Sequence, residues 1–93
     1  MKYSNYETNC VADYLEHNTN YLDCISLMAK ELLSSYDKHE CVEILANSIR
    51  DICEYDISES LKEASSLTRS LMFATLGMIN FEELSTNYIN NYV

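Results

Sequence analysis

The sequence predicts an all-α fold, a small single-domain bundle of about five to six short helices. Apolar residues recur at spacings of three and four along nearly the whole chain, which is the mark of helices with one buried face. Candidate helix starts sit at sensible intervals, with Ser4/Glu7, Asp37/Glu40 and Asn80/Glu83 spaced as capping boxes, in which two side chains satisfy orphan N–H groups reciprocally. Proline is absent and Gly77 is the one glycine, so β-hairpins lack the residues their tight turns require.

Ser4 and Glu7 open the first helix, whose proposed inner face is Tyr6, Cys10, Val11, Tyr14 and Leu15 and which stops near Asn18-Thr19-Asn20. The second carries Leu22, Ile25, Met28, Ala29, Leu32 and Leu33, the clearest amphipathic pattern in the chain. Asp37 and Glu40 open the third, with Cys41, Val42, Ile44, Leu45, Ile49, Ile52 and Cys53 facing in. Residues 56–60 read as a joint, with Asp56 or Ser58 capping a fourth segment. There Leu61, Ala64, Leu67, Leu71, Ala74 and Met78 keep helical spacing, either as one helix or as two broken near Ser65-Ser66. Gly77 is expected to close this segment in a left-handed cap, followed by the apolar Met78. Asn80 and Glu83 open the last helix, with Phe81, Leu84, Tyr88 and Ile89 inside. No repeat, linker or low-complexity tract divides the chain, so residues 1–93 form a single acidic domain.

Composition excludes several functions. Fifteen Asp and Glu against six Lys and Arg give a net charge of -9, a field that repels phosphate and argues against direct nucleic-acid binding. A hydrophobic content of 47% is too high for a disordered acidic tail. No apolar run reaches the roughly 18 residues of a transmembrane helix, and the polar start Lys2-Tyr3-Ser4-Asn5 is not a signal peptide. Membrane binding is therefore not expected, and the expected location is the cytoplasm of the host cell.

Cys10, Cys24, Cys41 and Cys53 all lie beside Val, Leu or Ile at helical spacing and are expected to be reduced, buried small hydrophobes. His39-Glu40-Cys41 is the most metal-like cluster, but it lacks the paired ligand spacing of a zinc site. With one glycine there is no phosphate-binding loop. No cofactor, metal or catalytic residue is expected, and a small metal or thiol enzyme would need bound zinc or a thiol of depressed pKa.

The acidic surface is the remaining candidate site. Glu40, Glu43, Asp51, Glu54, Glu59 and Glu63 repeat at helical intervals, with Glu40/Glu43 and Asp51/Glu54 one turn apart. A compact chain of this length spans roughly 32 Å, over which a duplex carries on the order of 19 phosphate charges. Fifteen acids spread around a globule cannot replicate that, so a contact with a basic protein fits better. The eight tyrosines would add rigid amphipathic area to such a contact or to a homodimer seam.

The stretch Asn5-Tyr6-Glu7-Thr8-Asn9-Cys10-Val11-Ala12-Asp13-Tyr14-Leu15-Glu16-His17-Asn18 resembles a motif of small phage and mobile-element proteins that open with Asn-Tyr-Glu-Thr-Trp and reach an Asn-containing turn followed by Tyr. Ile79-Asn80-Phe81-Glu82-Glu83-Leu84 is similar to their ending. Asn9 and Tyr14 stand where the motif has Trp. The resemblance covers roughly the first 21 and last 15 residues and implies a phage or mobile-element origin without enzymatic activity. With the acidity, it leads to the expectation of a host-defence inhibitor of anti-CRISPR or anti-restriction type. Such a protein binds a host nucleic-acid-processing complex stoichiometrically. The alternative is a phage accessory protein that binds replication, recombination or transcription machinery.

Overall fold

A computed structural model of the chain describes residues 3–92. Five helices follow in order, α1 (Tyr6–Glu16), α2 (Thr19–Leu33), α3 (Lys38–Ser60), α4 (Ser66–Leu76) and α5 (Phe81–Asn90), and no strand occurs among the described residues. Each starts at a short polar side chain that accepts a backbone N–H from three residues ahead: Asn5 from Thr8, Asn18 from Tyr21, Asp37 from Glu40, Ser65 from Thr68 and Asn80 from Glu83. These bonds satisfy donors that a helix start otherwise leaves open, each worth about 1 kcal/mol.

The long α3 is the spine. Its most extensive packing is against α5, while α2 packs on both and α1 lies across α2 and α5. Leu15, Ile25, Ala29, Cys41, Leu45, Ile49, Leu84 and Ile89 are fully buried where these helices meet. Ser85 is buried too, and its hydroxyl donates to the Val42 carbonyl of α3 at 2.7 Å. A small side chain with an internal acceptor thus lets α5 approach the α3 backbone without leaving a polar atom unsatisfied. The inner faces expected for α2 and α5 are those observed, and on α3 only Ile44 turns outward.

Several expectations are corrected. Asn5 caps α1 rather than Ser4, whose backbone N–H instead donates to the Glu83 carboxylate at 2.8 Å. The inner face of α1 is Thr8, Ala12 and Leu15, with Val11 at its margin, whereas Tyr6, Cys10 and Tyr14 are exposed. Residues 56–60 are not a joint. They hold no Gly or Pro, the Asp56 carboxylate bonds two tyrosine hydroxyls rather than its own backbone, and α3 runs on for 23 residues. The break falls at residues 61–65, after which Ser65 caps α4. Gly77 is right-handed (φ -66, ψ -16). The chain leaves α4 through successive i to i−3 bonds, Gly77 to Ala74, Met78 to Thr75 and Ile79 to Leu76, a tightened last turn that needs no left-handed residue. The molecule measures 43 × 25 × 23 Å, longer than a compact sphere because α3 alone extends about 35 Å.

Candidate functional site

The sequence-predicted acids fall on and just beyond α3. At about 100° per residue, Glu40, Glu43, Asp51 and Glu54 share an arc of about 80° that points away from the buried Cys41, Leu45, Ile49 and Cys53. Glu40, Glu43 and Asp51 are exposed, and among the described residues they form no ion pair. Glu54 bonds Arg50 at 2.9 Å, and Glu59 bonds Lys62 at 2.8 Å. Glu59 sits off the arc and Glu63 lies in the turn after the helix. The structure therefore brings four of the six acids onto one stripe about 21 Å long. Duplex DNA carries on the order of 12 phosphate charges in that length.

On the inner side of α3, Asp56 is a hub. It accepts hydrogen bonds from the Tyr14 hydroxyl at 2.8 Å and the Tyr21 hydroxyl at 2.5 Å, tying α1 and α2 to α3. Hydrogen bonding to Asp56, aided by burial and by the carboxylate's charge, pushes Tyr21 up to about 12 and raises Tyr14 as well. The two rings lie 6.2 Å apart and tilted. Beside the hub, Cys10, Val11, Cys53, Ile57, Leu61 and Met72 line an open apolar groove of about 330 Å³ between α1, α3 and α4.

The starts of α1 and α5 meet. Asn5 caps Thr8, and its amide nitrogen donates to the Met78 carbonyl at 2.7 Å. Thr8, fully buried, accepts the Asn80 backbone N–H on its hydroxyl at 2.8 Å. Asn80 caps Glu83 at 3.0 Å, and the Glu83 carboxylate accepts the Ser4 N–H. The starts of α1 and α5 thus cap each other across the chain.

A surface that the acidic reading missed is α4. Leu67 is 70% exposed, Leu71 59% and Met78 56%, with Met72 and Phe73 also open. The charge pattern marks this segment only as apolar, since from Ala64 to Phe81 the one charged residue is Arg69.

All four cysteines are free. Cys41 and Cys53 are buried as expected, but Cys10 and Cys24 are exposed, because they sit at the outer edge of α1 and α2. Burial pushes the Cys53 thiol up to about 11 and raises Cys41 in the same direction. His39 is exposed while Cys41 points inward, and no group of three or more His, Cys, Asp or Glu among the described residues is placed to hold a metal ion. No helix among the described residues is long and apolar enough to cross a membrane. In comparison with known proteins, no family model, no curated protein and no solved structure matches this chain.

Proposed function

We propose that the protein is a phage-encoded inhibitor of a host defence system that works by stoichiometric binding, not catalysis. Its α3 stripe enters a basic groove on a nucleic-acid-processing protein of the anti-CRISPR or anti-restriction target kind. The observation that carries this reading is the exposed set Glu40, Glu43 and Asp51, continued by the half-buried Glu54, on one helix of a chain with net charge -9. Among the described residues three of these carboxylates, Glu40, Glu43 and Asp51, form no ion pair, so their attraction is available to a partner. The likeness of the N-terminal and C-terminal segments to phage proteins supports the origin. Four carboxylates in about 21 Å are too sparse to copy a duplex, so the partner surface is a local basic patch rather than a whole DNA channel.

Titration of the protein into a reconstituted nuclease of either defence class tests the reading. Inhibition saturates near one equivalent, and association slows as salt rises, because steering by surface charge is screened over about 10 Å at 0.1 M. Charge reversal by Glu40→Lys, Glu43→Lys and Asp51→Lys lowers the association rate while leaving the fold intact. Salt-independent association, or full potency in the triple variant, would remove the stripe from the mechanism.

A further inference from the structure

We infer that α4 is the seam of a two-fold homodimer, with a second copy of this chain as its occupant. Leu67, Leu71 and Ala74 follow one another on α4 at intervals of four and three, the spacing by which a helix presents a continuous ridge to another helix, and Met78 extends the line in the turn just past the helix end. Leu76, on the opposite side of α4, is buried against the body of the protein, whereas the ridge faces solvent. A helix that is apolar on both sides is ordinarily buried on both.

The charge pattern selects the partner. Each copy carries a net charge of -9, so two copies repel wherever they present carboxylates to each other. Along α4 they present none: the ridge is flanked by Thr68, Ser70 and Thr75, and Arg69 lies on the far side of the helix. A basic partner would find no acid there to pair with, and an acidic partner only Arg69. An identical acidic copy, by contrast, meets its least repulsive approach on this face.

The ridge is also complementary to itself. Antiparallel pairing about a two-fold axis sets Leu71 of each copy against Ala74 of the other, and Leu67 against Met78. Large residues then face small ones at the centre, which lets the helices close up. Counting about 200 Å² for a fully exposed side chain of this size, Leu67, Leu71 and Met78 at 70%, 59% and 56% exposure leave on the order of 400 Å² bare per copy. On two copies these three side chains offer about 750 Å², below the roughly 1,200 Å² at the lower end of specific interfaces before Ala74 and the hydroxyl flanks are added. The dimer is accordingly weak and concentration-dependent. It does not rest on the inhibitor reading, because the acidic stripe occupies a different side of α3 and stays open in both copies.

Sedimentation equilibrium and light scattering across a millimolar-to-micromolar dilution series test this seam. The mass of the wild type climbs from the 10.8 kDa of one chain towards twice that value as concentration rises. Leu71→Glu and Leu67→Glu hold it at the single-chain mass with unchanged helical circular dichroism. Leu27→Glu, a control on the equally open α2 leucine at 58% exposure, leaves dimerisation intact. A wild type that stays monomeric throughout overturns the proposal, even if α4 were then found to hold a foreign protein. So does a dimer that survives both α4 substitutions or dissolves on Leu27→Glu.

Discussion

Thr8 and Asn80, 72 residues apart, are joined by a 2.8 Å hydrogen bond from the Asn80 backbone N–H to the Thr8 hydroxyl. Thr8 has no exposed surface, so its hydroxyl takes the Asn80 N–H rather than water as its partner. It sits at the centre of a reciprocal cap in which Asn5 holds the Met78 carbonyl and Glu83 holds the Ser4 N–H. Asn5, Thr8, Asn80 and Glu83 therefore have a structural duty, closing the two ends of the chain on each other. The polar members Asn5, Thr8, Asn80 and Glu83 are engaged in this cap, whereas the α3 stripe and α4 remain open.

Replacing Thr8 by Val keeps its shape and removes the acceptor. The Asn80 N–H then loses its acceptor, at a cost of about 0.5–1.5 kcal/mol. In a domain of this size each kcal/mol lowers Tm by about 4–8 °C. Thr8→Ser retains the hydroxyl and gives up only a methyl group, so thermal unfolding places it between the wild type and Thr8→Val. Equal Tm values for Thr8→Val and Thr8→Ser would show that packing, not the bond, fixes this joint.

The fold class was legible because helical spacing and short polar caps are local properties. Asp37 and Asn80 cap where their spacing to Glu40 and Glu83 predicts. What was not legible depended on partners distant in sequence. Asp56 looks like a helix start until Tyr14 and Tyr21 arrive from α1 and α2 to occupy its carboxylate. Glu83 has the spacing of a capping box with Asn80, but its side chain serves Ser4 instead. Thr8 is a polar residue that no hydropathy pattern would place inside, and its burial follows from the Asn80 N–H it satisfies. The acidic stripe could be read from periodicity alone. The openness of α4 could not, since Leu67 and Leu71 have the spacing of a buried face and only the packing of α3 shows which side is covered.

Leucines at equal chemistry but unequal burial separate core from surface. Leu45, fully buried on α3, loses its transfer energy and leaves a cavity in Leu45→Ala, for a cost of about 2–5 kcal/mol. Leu67→Ala on the open side of α4 stays within about 0.5 kcal/mol. Urea unfolding at low protein concentration, where association does not contribute, compares the two directly. A large loss for Leu67→Ala under those conditions would mean that α4 is packed within the single chain.

Thiol chemistry reports the same division. Cys10 and Cys24 are exposed, whereas Cys41 and Cys53 are buried with thiols shifted upward by desolvation. The thiolate is the reactive form, so burial slows modification both by blocking access and by suppressing ionisation. Alkylation followed by peptide mass spectrometry should modify Cys10 and Cys24 quickly in the native protein. Cys41 and Cys53 follow only on unfolding. Rapid native labelling of Cys53 would show that the apolar groove opens down to the core.

Alkaline pH should unfold the protein, and the direction follows from proton counts. Tyr21 is held near 12 against an ordinary 10 by its bond to Asp56, Tyr88 near 12 by burial, and Cys53 near 11 against 9 by burial. Between the ordinary and the shifted values the folded state keeps protons that the unfolded state has released, so stability falls as pH rises. These contributions are complete below about pH 9 and are lost progressively towards pH 12. Denaturant unfolding at a series of alkaline pH values measures the slope. Tyr21→Phe cannot ionise, so it removes its share of the slope above pH 10, although it also forfeits the hydroxyl bond to Asp56 and starts from lower stability at neutral pH. An alkaline slope unchanged in Tyr21→Phe would mean that the Tyr21–Asp56 bond does not hold that proton.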